Sequence, residues 1–595
     1  MAQDEKGEYS IPVIFPAAAH WVEGIKFNTK IKASISEVNV VTKSIQISFI
    51  KPGGNWSQLG EIEIIGESKV IPPDTTIVPP PQSIIPKQVK STFQNPVKDK
   101  ELEVWIEKPW IDTKGGVAQP KTENLFRNPL IMLQGDTEQV MLCFLNKSKK
   151  TLPVTVNFSS NLPQKKSTID LLYCGAMKTR NHGTQNINLF NSTHIKSFKG
   201  NFPKPFTNTE IFQNFPELYL PTNQPVRVWV QIRTFNPQKW DNIVSAGNYQ
   251  VNISVEKSEY SFNVKLPISV LPIALSRKPP IEVMPYGGID TLDDKLHYST
   301  INNGFKTYAK TNFRIDRKSN NLLKLEKTNP SQFKQIFKDK IENLQRGAMK
   351  VGYRKEQILV EIFDEPCDRN ANKWVAYAKA IKSVAPDTKI IANPPADWPS
   401  GNMATTLEGS FKKMAPYVDV WMPYSAHYLN DEVRKFLKST GKPLWFYKNI
   451  AIQTCRSELD IVKTYRRFGW LANRFNLDGI GVWSVSFYVS DQWDDFDKSK
   501  HYNWPDAALV FKSDAGPIPT RGWESWRETV EDVQIYKIIK HALGTLEISG
   551  SLREDMQGWL NYSPIKMTEN PQNIYKVKKE ALELLMRMEK EMQDK

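Results

Sequence analysis

The chain has 595 residues, too many for one hydrophobic core, and its 40% hydrophobic against 24% charged residues exclude a disordered protein. Lys and Arg outnumber Asp and Glu by 79 to 64, a net charge of +15, but they are dispersed, with only small pairs such as Lys165-Lys166 and Lys578-Lys579, which reads as a solvated face and not as a nucleic-acid stripe. No run of about 20 apolar residues predicts a membrane span, and Met1-Ala2-Gln3-Asp4-Glu5-Lys6 has no apolar h-region, so no signal peptide is read in this chain.

Residues 1–70 begin with strand signals. Ser44-Ile45-Gln46-Ile47-Ser48-Phe49 alternates, the turn Gly53-Gly54 follows, and Glu61-Ile62-Glu63-Ile64 alternates again. With the loop around Trp56 between them, these runs resemble the last strands of a discoidin-type, galactose-binding-like jelly roll, which implies a partial β module. Residues 71–99 are a linker. Pro72-Pro73, Pro79-Pro80-Pro81 and Pro86 predict a stiff, extended segment.

Residues 100–275 read as a β-sandwich. Alternation is clear at 226–232 and 249–255, the latter after the turn Ala246-Gly247-Asn248, and again at 260–266. From 276 to 545 apolar runs alternate with helical patterns, which predicts parallel strands and helical crossovers. Candidate strands are 281–285, 311–315, 322–326, 358–363, 388–392, 418–423, 443–448 and 479–485, the eight that a (β/α)₈ TIM-like barrel needs. Trp374, Ala378, Ile381 and Ala385 recur at helical spacing before Pro386, and 459–475 predicts another long helix. Residues 546–595 are a helical appendage with the apolar stripe Ile574, Val577, Ala581, Leu584, Met588 and Met592. The fold class is therefore multidomain, all-β sandwich domains followed by a barrel.

The four cysteines show no CxxC spacing and the seven histidines form no HExxH. No phosphate-binding or dinucleotide loop is present either, so neither a metal nor a cofactor is expected. The chemistry concentrates at Phe363-Asp364-Glu365-Pro366, after the apolar run 358–360. Adjacent acids at the carboxyl end of a barrel strand sit where catalytic groups are placed. They are costly to ionise together, so their pKa values tend to separate into an acid and a base. Glu361 shares the parity of Glu365 and is expected to line the barrel interior as a structural group. Ten of the seventeen tryptophans lie between Trp374 and Trp526. Aromatics at the strand ends suit a sugar-binding pocket, and Asn393, Tyr424, Tyr447, Trp483 and Trp493 are the candidate substrate contacts by position.

The Asp364-Glu365 segment, with Lys389-Ile390-Ile391-Ala392-Asn393-Pro394, resembles the catalytic domain of glycoside hydrolase family 123, the β-N-acetylgalactosaminidases and their relatives. Tyr465-Arg466-Arg467-Phe468-Gly469-Trp470, Asp478-Gly479-Ile480-Gly481-Val482-Trp483-Ser484, Ile518-Pro519-Thr520-Arg521, Trp526-Arg527 and Glu531-Asp532 are similar to its later elements. The resemblance implies a retaining, substrate-assisted mechanism on β-linked N-acetylhexosaminides, N-acetylgalactosaminides first. Glu365 is then the general acid/base, and Asp364 orients the sugar's 2-acetamido group. It also implies an oligosaccharide or glycoconjugate substrate and a secreted, periplasmic or cell-surface location. Two other readings stay open at this point: a glycosidase of an acidic or sulfated glycan, which the net charge would suit, and a non-catalytic carbohydrate-binding surface protein. The sequence does not fix oligomeric state.

Overall fold

A computed structural model describes most of residues 97–286 and 321–594, with 309–312 and four two-residue segments before residue 27. Met1–Pro81 and Gln82–Lys595 form two compact units. The described part of the first is two short antiparallel pairs, Ala2–Gln3 with Tyr9–Ser10 and Trp21–Val22 with Ile25–Lys26. The expected strands 44–49 and 61–64, the loop around Trp56 and the Pro-rich stretch 72–86 lie outside the described residues.

The second unit starts with strands β1 (Val97–Lys98), β2 (Leu102–Glu107), β3 (Leu130–Gln134), β4 (Thr137–Asn146), β5 (Leu152–Ser160) and β6 (Thr168–Lys178). They are followed by β7 (Gln185–Phe190), β8 (Glu217–Leu220), β9 (Pro225–Arg233), β10 (Gly247–Lys257) and β11 (Tyr260–Ala274). One sheet has the order β7-β6-β9-β4-β2-β1 and the other β8-β5-β10-β11-β3. The alternating runs at 226–232, 249–255 and 260–266 are β9, β10 and part of β11, and the last two pair as neighbours from Gly247 with Val270 to Lys257 with Tyr260. Period-2 alternation puts Val140, Leu142 and Phe144 of β4 into a core shared with Val154 and Val156 of β5 and Val251 and Ile253 of β10. Met141, Cys143 and Leu145 face the other way, into a second core with Trp105, Trp110 and Trp229. The six-stranded sheet is thus covered on both faces, which is why β4 is buried almost throughout.

The chain then becomes parallel. Strands β12 (Glu282–Tyr286) and β13 (Ala309–Asn312) precede helices α1 (Asn321–Thr328) and α2 (Pro330–Lys350). Then come β14 (Ile358–Glu361), α3 (Ala371–Val384), β15 (Lys389–Ala392), β16 (Val420–Trp421), α4 (Asp431–Ser439), β17 (Trp445–Asn449), α5 (Glu458–Phe475) and β18 (Gly479–Trp483). A four-stranded sheet β13-β14-β15-β16 and a three-stranded sheet β12-β18-β17 are parallel throughout. Parallel bridges Trp421–Leu444 and Tyr424–Tyr447 connect the end of β16 to β17. Among the described residues no ladder joins β12 to β13, so pairing leaves the series open.

One expected strand is corrected. Residues 322–326 belong to helix α1. Leu, Lys and Glu favour helix, and a short apolar run carries no period that separates a buried strand from a helix.

Side chains on one face of the parallel strands, Val360, Ile390, Phe446 and Ile480, pack against Trp374, Tyr377 and Phe468 from α3 and α5. The opposite face gathers Met284, Leu359, Ile391, Val420, Met422, Trp445 and Tyr447. Strands of both parallel sheets contribute to each core. Helix α6 (Arg521–Thr545) follows, then α7 (Gly550–Glu569) and α8 (Ile574–Gln593). Of the stripe expected in the last helix, Val577, Ala581, Leu584 and Met588 are buried with Trp559 and Ile539, Met592 is exposed, and the Ile574 side chain lies outside the described residues.

Helix α6 is buried along most of its length although it is rich in charge. Its ions are neutralised by neighbours on four elements. Arg527 binds Glu524 (2.7 Å), Glu531 and Glu528 (3.0 Å) within the helix. Arg466 of α5 binds Glu528 and Asp532 (2.7 Å). Gln231 of β9 donates to Glu524 (2.7 Å), and Gln139 of β4 donates to Glu528 (2.5 Å). Lys578 of α8 reaches Glu138 of β4 and Glu528 (3.4 Å).

Candidate active site

Strand β14 ends at Glu361, which is fully buried and whose Cα is paired with those of Asn312 and Ile391. Ile362 and Phe363 remain in the core, and the chain then turns outward. Asp364 is exposed and Glu365 half-buried. Glu365 has φ +54°, the left-handed region that costs a non-glycine residue about 1–2 kcal/mol. Pro366 disfavours the right-handed helical alternative for the residue before it. Because the strand stops at Glu361, the parity that would have paired Glu361 with Glu365 does not extend through the turn.

The turn is held from the next strand. Asn393, directly after β15, is buried to 1% exposure. Its Nδ2 donates to Asp364 Oδ1 at 2.6 Å, and its Oδ1 accepts the Glu365 N–H at 3.3 Å. Tyr447 of β17 is equally buried and its hydroxyl donates to Glu365 Oε1 at 2.9 Å. Tyr424, just past β16, meets Tyr447 edge to face with ring centroids 5.5 Å apart. Burial, and secondarily the Glu365 carboxylate, raise the pKa of the Tyr424 hydroxyl, so it stays protonated. Asp364, Glu365, Asn393 and Tyr424, each past the carboxyl end of β14, β15 or β16, thus converge with Tyr447 from within β17.

Two expected contacts remain, of which one lies outside the described side chains and one stands apart. Trp483 ends β18, its Cα paired with Tyr286 and Asn449, and its side chain is outside the described residues. Trp493 is a correction. Its ring stacks on Phe511 (4.9 Å) and meets Phe206 (5.6 Å) and Phe190 (6.2 Å) within the core shared by the two antiparallel sheets. Burying a large apolar ring there wins over exposing it at a strand end.

The sequence reading passed over Asp368. Its carboxylate accepts from the Thr406 N–H (3.0 Å), the Thr406 hydroxyl (2.7 Å) and the Ser410 hydroxyl. The Asp368 N–H donates to the Ala404 carbonyl at 2.9 Å. A Cβ on Gly409 would overlap that carboxyl group, which would have to shift from its partners Thr406 and Ser410 to make room. The available signal was Thr406, a helix N-cap type, accepting from the Gly409 N–H at 2.9 Å. Among the described residues no cluster of three or more His, Cys, Asp or Glu side chains could hold a metal ion, and no helix is long and apolar enough to cross a membrane.

Residues 281–539 match the family model described as glycoside hydrolase 123, catalytic domain. No curated protein matches the chain. Solved structures that match the chain include a family 123 glycoside hydrolase from Clostridium perfringens, at 11% identity over 81% of this chain and 99% of that one, TM-score 0.48. An endo-beta-1,4-mannanase from Thermotoga petrophila has 16% identity over 40% of this chain and 61% of its own, TM-score 0.25. A beta-D-glucuronidase for Dictyoglomus thermophilum has 10% identity over 67% and 68%, TM-score 0.26.

Proposed function

We propose, on the match of residues 281–539 to the glycoside hydrolase 123 catalytic-domain model, that this chain cleaves β-linked N-acetylhexosaminides, N-acetylgalactosaminides first, by a retaining, substrate-assisted mechanism. The observation that carries the reading is the convergence of Asp364, Glu365, Asn393, Tyr424 and Tyr447 from four parallel strands. Strands of both parallel sheets share one inner core, from Met284 to Tyr447, which supports the wider reading that they belong to one (β/α)₈ barrel.

In this mechanism Glu365 gives its proton to the glycosidic oxygen as the acetamido oxygen attacks the anomeric carbon. Asp364 holds the acetamido N–H and stabilises the positive charge of the oxazolinium intermediate. Glu365, now a carboxylate, takes a proton from the water that opens the ring, and the configuration is retained. Adjacent residues suit this division because acid and acetamido group flank the same carbon. Ordinary retaining carboxylates stand about 5–5.5 Å apart, one donating a proton and the other attacking the anomeric carbon itself.

Release of 4-nitrophenol from the β-N-acetylgalactosaminide and its glucosamine epimer, wild type beside Glu365→Gln, tests the reading. Loss of the acid lowers turnover of an unactivated disaccharide by roughly 10²–10⁴-fold, and of the nitrophenyl glycoside less, because that leaving group needs little protonation. Turnover insensitive to a thiazoline inhibitor would point instead to the acidic-glycan reading, for which the +15 charge is the argument. Glycan binding without turnover, unchanged in Glu365→Gln, would make the chain a binding protein.

A further inference from the structure

We propose that Asn393 is a positioning residue, and not a substrate contact: its amide fixes Asp364 as a hydrogen-bond acceptor and holds Glu365 in its left-handed turn. The inference rests on the functional reading above for its catalytic consequence, but its geometry stands without it. A backbone N–H can only donate, so the Glu365 N–H identifies the Asn393 atom 3.3 Å away as the amide oxygen. The nitrogen must then face Asp364, which it does at 2.6 Å. An NH₂ group at that distance requires an acceptor, and Asp364 Oδ1 is that acceptor. One buried amide therefore treats the two neighbouring acids differently. It holds the Asp364 side chain directly, and at Glu365 it touches only the backbone, leaving the side chain to be met by Tyr447.

The platform under Asn393 is built to keep that amide still. Ala392 on one side accepts from the Met422 N–H at 2.8 Å, and Pro394 on the other accepts from the Tyr424 N–H at 2.9 Å. His427 Nε2 lies 2.5 Å from the Pro395 carbonyl oxygen. The backbone on both sides of Asn393 is thus tied to the segment 422–427, and the short side chain has little freedom left once its two bonds form.

The test compares Asn393→Asp and Asn393→Ala with wild type, reading kcat and KM against pH, thermal stability, and a crystal structure of Asn393→Ala. Asn393→Asp keeps the acceptor for the Glu365 N–H and replaces the donor by a second carboxylate. Its expected signature is a kcat lower by roughly ten- to a hundredfold, the value of one lost hydrogen bond to a charged group, with KM little changed. The loss persists at temperatures where the variant is fully folded. A role confined to stability would lower the melting temperature and leave kcat unchanged below it, and this result would overturn the proposal. In Asn393→Ala the expected structure has Glu365 out of the left-handed region. Glu365 still at that φ with Asp364 unmoved would also overturn it. Absence of hexosaminidase turnover in the wild type would sink the functional reading alone, and the crystal structure would still decide the positioning.

Discussion

At the scale of residues, Tyr447 makes the sharpest prediction. It donates a hydrogen bond to Glu365 from a position that is 2% exposed, so its loss removes a buried donor and no substrate area. A donated bond favours the ionised carboxylate. Tyr447→Phe should therefore hold its acid proton to higher pH, and the basic limb of the pH–rate profile should move up while the fold survives. A profile coincident with wild type would show that the bond does not act on the acid. The same scale separates what was legible in the chain from what was not. Asp364, Glu365, Asn393, Tyr424 and Tyr447 could be found because each follows or ends an apolar run, and parallel strands bring their carboxyl ends together. Trp493 could not be placed, since a tryptophan near a strand end carries the same local pattern whether it faces a pocket or a core. Asp368 was hidden because its partners, Thr406 and Ser410, lie about forty residues away on the next loop.

Among the elements, helices α5 and α6 pack closely at Gly469. A Cβ there would lie 2.6 Å from the Thr529 carbonyl oxygen and 2.8 Å from Val533 Cγ2. Gly469→Ala should destabilise the protein by about 1–3 kcal/mol, as overpacked cores do. Gly558, inside α7, has nothing within 4 Å of that position, and Gly558→Ala should stabilise it by about 0.5–1 kcal/mol. Urea midpoints moving in opposite directions would bear this out, and a shared direction would not. Long periodic helices such as α5 were legible, as were strands with strict alternation such as β9 and β10. The segment 322–326 was not, because five residues hold no decisive period. Helix α6 was equally opaque: a face of Arg, Glu and Asp reads as solvated, and only the partners on β4, β9, α5 and α8 turn it into an interior one.

For the whole molecule, that buried charge sets a dependence on pH. Burial is the main cause that raises the pKa of Glu138 to about 8, the nearby Glu528 and Asp136 adding to it while Lys578 opposes it. A carboxyl raised in the folded state binds its proton more tightly there than in the unfolded chain. Its contribution is complete below the ordinary value of 4.5 and is lost as pH rises towards and through 8. The melting temperature should fall across that window, and Glu138→Gln should flatten the fall. A slope unchanged in the variant would place its origin elsewhere. None of this was visible in the dispersed charge of the sequence, because pairing across such distances is a property of the tertiary fold.

The reach of Lys578 has one more consequence, in the timing of synthesis. Glu138 leaves the ribosome about 440 residues before the lysine that faces it. At ~5–20 residues per second that interval is roughly twenty to ninety seconds. During it, β4 can pair with its neighbours, but its acid has no counter-ion from α8. The double-sheet region therefore cannot reach its final electrostatic state in the order in which it is made. The charge that faces Glu138 arrives with α8, so completion of this pairing waits for every element made between them.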